Sequence, residues 1–172
     1  MQGFSLRELL AVDERKTLEF FFLGLKDVCE PNVDRNEILY NASVLAHYAQ
    51  TSTVSSTDFP APRSLEFVFD NFVNDSWFSI DAEMLETAAT HCLLMAGFFE
   101  DQMRNRHNVG WYSSLGSSFF YKASLCEEKK IRAEFLKTMS RSFEPWRQRH
   151  SRLSRELRVT PYLLRMDAGK PQ

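Results

Sequence analysis

Leu18, Phe21, Phe22, Leu25, Val28 and Cys29 recur at helical spacing, which predicts an amphipathic helix over residues 14–29. Ser5 can cap a short helix before it, and Pro31 ends the unit. Asp34 and Glu37 stand three apart, as in a capping box, and Ile38, Ala42, Leu45 and Ala49 then mark one face of a second helix. The run "TSTVSSTDFPAP", residues 51–62, reads as a long internal loop. Ser64 opens a short helix after it, with Leu65, Val68, Phe69 and Phe72 inward.

A third long helix starts at Ser79 or Asp81, with Met84, Ala88, His91, Cys92, Met95 and Phe99 on its inner stripe. Around "CLLMAGFF" the chain is apolar on all sides, the pattern of a central buried helix, and Gly97 loosens or ends it. Residues 102–108 form a polar link or short helix. Trp111, Leu115, Phe119 and Ala123 line a helix over residues 111–126, and Ile131, Phe135, Met139 and Phe143 define the next. Pro145 either kinks the chain or sits in the first turn of a last helix that ends near Leu157, with Trp146, His150, Leu153 and Leu157 as its seam. No stretch alternates as a strand does. The expected fold is all-α, one compact bundle of six or seven helices over residues 1–166, with a disordered tail at 167–172.

Composition agrees. A chain of 172 residues is long enough to bury a core without disulfide or metal staples. With six glycines and six prolines, turns are too few for an all-β chain. Cys29, Cys92 and Cys126 are odd in number and widely spaced, which fits the reduced thiols of a cytoplasmic protein. The greasiest run, "FFFLGL", is far short of a membrane span, and the first fifteen residues have no signal-peptide core. Charge is polarised. Residues 1–100 hold 6 Lys/Arg against 16 Asp/Glu, while residues 101–172 hold 15 against 7. The halves either neutralise each other within one fold or leave a basic half facing an acidic partner.

Several chemistries are unsupported by the spacings. A di-iron bundle uses Glu-x-x-His, which places both ligands one turn apart. Here Val44, Ala88, Arg104 and Arg147 precede the four histidines by three. There is no HExxH, no Gly-rich phosphate loop and no GxSxG. Neither a metal nor a cofactor is expected, and no catalytic residue is assigned. His91 and Cys92 are adjacent, so they point about 100° apart on a helix and do not pair.

Two surfaces remain as candidates. One is a cleft lined by His91, Asp101, Arg104, Arg106, Trp111 and Tyr112, suited to an acidic or aromatic ligand. Against it stands a packing reading. Ser113, Ser114, Gly116, Ser117 and Ser118 make a face of little bulk that lets a neighbouring helix come close, and Asp101 pairs locally with Arg104. The other candidate is a basic surface of Arg147, Arg149, Arg152, Arg155 and Arg158. It reads as a solvated face more readily than as a phosphate reader, because the arginines spread over a wide arc.

The pattern Gly97-Phe98-Phe99, an acid at Glu100 or Asp101, Arg104, the pair Trp111-Tyr112, then Leu115-Gly116 and Tyr121 resembles a family of uncharacterised bacterial helical proteins. The resemblance covers only part of the chain, about Cys92 to Ser124. It implies a bacterial source and a helical domain, and carries over no catalytic residue. The expected function is a non-enzymatic interaction or regulatory protein of the cytoplasm, with a protein partner or a second copy of itself and no membrane. The alternatives are a small enzyme or ligand binder using the cleft, and a nucleic-acid binder using the C-terminal arginines.

Overall fold

The computed structural model describes residues 14–54, 81–105 and 108–159. Of these residues 87% are helical and none lies in a strand. The all-α class holds. In chain order the helices are α1 (Glu14–Val28), α2 (Arg35–Val54), α3 (Ala82–Leu93), the single-turn α4 (Glu100–Met103), α5 (Val109–Cys126), α6 (Lys130–Arg141) and α7 (Phe143–Val159). A π-helical turn, Leu94–Phe98, continues α3 directly.

These helices gather into two compact units. One contains α1, α2 and the part of α7 from Arg152 onward. The other contains α3, the π turn, α4, α5, α6 and the part of α7 up to Ser151.

In the first unit the expected cap at Asp34 is present. Asp34 Oδ1 accepts from the Asn36 amide at 2.7 Å and from the Glu37 amide at 3.3 Å, which satisfies two orphan donors at the start of α2. Ile38, Ala42, Leu45 and Ala49 are all buried, as their spacing requires. On α1 the buried line is Thr17, Phe21, Leu25 and Val28. Leu18 and Phe22 lie at its margin, half-buried. Asn41 is buried beside the core because its amide donates to the Glu37 carbonyl one turn back, at 2.8 Å. The helix α2 runs through Val54, so the first four residues of the expected 51–62 loop are helical. The rest of that loop, the Ser5 and Ser64 helix starts and the 167–172 tail lie outside the described residues.

In the second unit Asp81 caps α3, its Oδ1 accepting from the Met84 amide at 2.8 Å. The core line of α3 keeps only Ala88 and Cys92 of the expected stripe, both buried, and adds Leu85 and Ala89, whereas Met84, His91, Met95 and Phe99 are half-buried. Small side chains occupy the central line because α5 packs directly on it. Two other expected lines also part from the core. Leu115, Phe119 and Ala123 are buried but Trp111 is 44% exposed, and Met139 and Phe143 are buried but Ile131 is 89% exposed. Each of those lines stepped by four residues, and every such step turns about 40° beyond a full turn, so a strict i+4 line winds off the buried face.

The π turn sits where Gly97 interrupts the apolar run. The Phe99 amide donates to the Leu94 carbonyl five residues back, at 2.9 Å. A Cβ on Gly97 would lie 2.9 Å from the Arg147 carbonyl oxygen and 2.9 Å from Cβ of His150. Only glycine lets α7 come this close. Pro145 occupies the first turn of α7, where its missing N–H costs no helix bond.

Candidate functional site

The helix α5 begins at Asn108, whose Oδ1 accepts from the Trp111 amide at 3.1 Å. Its inner face carries Gly116, Phe119, Phe120 and Ala123, all buried. A Cβ on Gly116 would lie 2.5 Å from Cζ of Phe143 and 2.8 Å from Cβ of Cys92, so α5 meets both α7 and α3 at this residue. Phe120 and Phe143 pack with ring centroids 6.1 Å apart. The close approach expected of the small-residue run is therefore real at Gly116. It is not shared by the whole run. Ser117 reaches across to α6, Ser113 donates to Glu144 Oε2 at 2.9 Å, and Ser114 and Ser118 lie exposed on the opposite side.

That opposite side is the outer face of α5. Trp111, Ser114, Ser118, Tyr121 and Leu125 follow one another at intervals of three and four residues, and all five are exposed. Tyr121 is 46% and Leu125 68% exposed. Alternating steps of three and four average 3.5 residues, the period that keeps one seam of a helix facing a neighbour. None of the five is charged, and Lys122 is the one charged residue in α5.

A second feature of the unit is an ion network. Glu100 accepts from Arg104 Nη2 at 3.0 Å, from Arg147 Nη1 at 3.1 Å and from Ser151 Oγ at 2.5 Å. Arg147 also grips Glu144, with Nε 2.9 Å from Oε2 and Nη2 2.5 Å from Oε1. Its Nη1 further donates to the Ala96 carbonyl in the π turn, at 3.2 Å. Arg104 and Arg147, assigned by sequence to two different candidate surfaces, thus meet on one carboxylate. Burial raises the Glu100 pKa, but the hydrogen bonds from Ser151, Arg104 and Arg147 outweigh it and hold the carboxyl below its ordinary range. Hydrogen bonding from Arg147 does the same at Glu144, and the Glu144 partner raises Arg147 in turn. Carboxylates that stay ionised and hydrogen-bonded in this way suit a clamp, not proton transfer near neutral pH.

The other residues of the expected cleft take varied roles. His91 is half-buried, and its Nδ1–H donates to the Thr87 carbonyl of its own helix at 2.8 Å. Arg104 pairs with Glu100, one turn back, and not with Asp101. Asp101 is half-buried on α4. Trp111 and Tyr112 meet edge to face, centroids 5.0 Å apart. Burial, and then the neighbouring Cys92, pushes the Tyr112 hydroxyl pKa up. Burial pushes the Cys92 thiol up to about 12, so it stays protonated and is a poor nucleophile. Arg106 lies outside the described residues.

Of the expected basic surface, Arg147 is drawn into the network, with 14% of its side chain exposed. Arg149 lies 4.6 Å above the Trp146 ring. In the other unit, Arg152 donates to the Val28 carbonyl at 3.3 Å and Arg158 to Ser154, while Arg155 is exposed. Glu144 and Ser151 escaped the sequence reading, and Glu100 entered it only as one of two acids in the family-like pattern. The Glu100–Arg104 and Glu144–Arg147 spacings signal local pairs, but nothing local links Arg147 to Glu100.

The first unit carries two adjoining cavities of about 400 and 430 Å³ along α1 and α2. They share Phe22 and Arg35, and the Arg35 guanidinium lies 5.8 Å from the Phe22 centroid. No sequence motif marks them. Among the described residues, no group of three or more His, Cys, Asp or Glu side chains gathers as a metal would require, and no helix is long and apolar enough to cross a membrane. The chain matches no known protein family, no curated protein and no solved structure.

Proposed function

We propose that the protein is a non-enzymatic helical interaction protein that presents the outer face of α5 to a protein partner. The observation that carries this reading is the seam Trp111, Ser114, Ser118, Tyr121 and Leu125, solvent-facing and uncharged on a helix whose other side is core. Exposed aromatic and aliphatic side chains at coiled-coil spacing fit the groove of another helix. Tyrosine and tryptophan supply large contact area at small entropic cost, which is why they anchor interfaces. The ionisable groups beside α5 support the same reading. The Cys92 thiol is held protonated, and Glu100 and Glu144 are engaged by arginine.

The test is photo-crosslinking in the cell that makes the protein. A benzophenone amino acid at position 121 is expected to yield discrete protein adducts. The same group at Glu134, exposed on α6, is expected to yield none. Equal or absent crosslinking at the two positions overturns the reading.

A further inference from the structure

The two cavities along α1 and α2 have a polarity set by the turn between the helices. The helix α1 ends at Val28, the Val33 amide donates to the Glu30 carbonyl at 3.2 Å, and Asp34 caps α2. This turn brings Lys26, in the last turn of α1, and Arg35, the first residue of α2, onto the wall of one cavity of about 400 Å³. One turn farther into each helix stand Phe22 and Ile38, which line the same cavity together with Val33. Ile38 is buried, and Phe22 and Val33 are half-buried. Each helix therefore contributes a cation beside the turn and an apolar side chain beyond it.

The fold makes little use of either cation. Among the described residues no carboxylate pairs with Lys26 or Arg35. The Arg35 guanidinium lies over the Phe22 ring, 5.8 Å from its centroid. Arg35 also opens α2, at the helix end whose dipole disfavours a positive charge. The charge count points the same way. Lys26 and Arg35 share the first cavity with one acid, Glu30, and the second cavity shares Arg35 and adds Arg15 and Glu19. Each cavity thus has one positive charge in excess.

We infer that these cavities are a binding site for a small aromatic carboxylate, its ring on Phe22 and Ile38 and its carboxylate on Arg35 and Lys26. The inference goes beyond the interaction reading and stands on different residues. A carboxylate matches two N–H donors of a guanidinium fork, and a guanidinium plane stacks on aromatic faces. One negative charge balances the excess, whereas a phosphate dianion would leave a surplus against an apolar wall. Volumes of about 400 and 430 Å³ lie in the range of small-molecule sites, where an apolar lining holds the body and a few polar groups orient it.

The test is an NMR titration of the full chain. 2-Naphthoate, taken to about 5 mM because so small a ligand binds weakly, is expected to shift the signals of Phe22, Lys26, Val33, Arg35 and Ile38 along one saturable curve. 2-Naphthamide has the same ring without the charge, and acetate has the charge without the ring. Each is expected to bind at least about fivefold more weakly. Lys26→Gln/Arg35→Gln is expected to weaken naphthoate binding at least about tenfold, with circular dichroism unchanged, since both positions are exposed. No saturable shift at these residues overturns the inference. So does amide or acetate binding as tight as that of naphthoate, or a folded double variant that binds like the wild type. Shifts confined to Trp111 and Tyr121 would put the ligand on α5 and overturn the site. If the double variant unfolds, the three probes on the wild-type chain decide alone.

Discussion

Ser117 and Ser140 each donate a hydroxyl hydrogen bond to the other's main-chain carbonyl, at 2.9 Å and 2.8 Å. The pair joins α5 to α6 through two reciprocal bonds that fix the register of one helix on the other. Ser117→Ala and Ser140→Ala are each expected to cost about 1 kcal/mol, the usual net worth of one such bond. The double variant is expected to lose less than the sum, since the two serines share one contact. Urea unfolding of the three variants tests this. A fully additive double variant would show that the bonds act independently.

Gly116 is where α5 touches both neighbours. Because a Cβ there would lie 2.5 Å from Phe143 Cζ, Gly116→Ala is expected to destabilise by about 1–3 kcal/mol and Gly116→Leu by more. Combining Gly116→Ala with Phe143→Leu is expected to recover part of that loss, because the ring edge that clashes is gone. A Gly116→Leu protein that melts with the wild type would remove the close-packing account.

Arg104 and Arg147 both bind Glu100 and differ in burial, with 60% and 14% of their side chains exposed. Arg104→Ala is expected to cost about 1 kcal/mol or less, as for an exposed pair. Arg147→Ala leaves two carboxylates and a π-turn carbonyl without their shared donor, and is expected to cost about 3 kcal/mol. Arg147→Lys keeps the charge but not the fork, and falls between. Thermal or denaturant melts that rank Arg104→Ala as the worse change would contradict the network.

Acid stability follows from His150. Burial lowers its pKa from 6.5 to about 3. Between those values the unfolded chain binds a proton that the folded chain does not, so stability falls as pH drops through this window, by up to about 1.4 kcal/mol per pH unit. Glu100 and Glu144, both held below 4.5, add to the loss in the same direction at still lower pH. His150→Met is expected to flatten the slope between about pH 6.5 and pH 4.5. A pH profile identical to that of the wild type would show that His150 is not the titrating group.

Helix existence was legible in the residues wherever a cap stood before a periodic run. Asp34 and Asp81 cap as their positions implied, and the apolar surround of "CLLMAGFF" marked a buried segment correctly. Which face is buried was less legible. Ala88, Cys92 and Gly116 were placed inward correctly, but the large residues Met84, Met95, Trp111 and Ile131 were placed there too, and helices that nearly touch prefer the small Ala89 to them on the contact line. The segment around residues 95–124 was posed as either packing or site. Its helix packs closely at Gly116 on one face and leaves Trp111, Tyr121 and Leu125 exposed on the other, a division that a local count of small and aromatic residues does not make. The clamp on Glu100 joins residues 47 and 51 positions away, and pairings at that range leave no trace in local spacing.

The first unit is discontinuous in sequence. Its α1–α2 pair is completed by the end of α7, where Leu153 would lie 2.9 Å from a Cβ on Gly24 and Arg152 holds the Val28 carbonyl. During synthesis α1 and α2 are therefore made before the segment of α7 that completes their unit. Roughly ninety residues must be translated in between, a wait on the order of ten seconds at typical elongation rates. The unit up to Ser151 is contiguous and can close while the nascent chain is still growing. The apolar side of α1 and α2, with Phe21, Leu25 and Leu45, stays open through that interval. That is the point in the protein's life at which a chaperone would have something to hold.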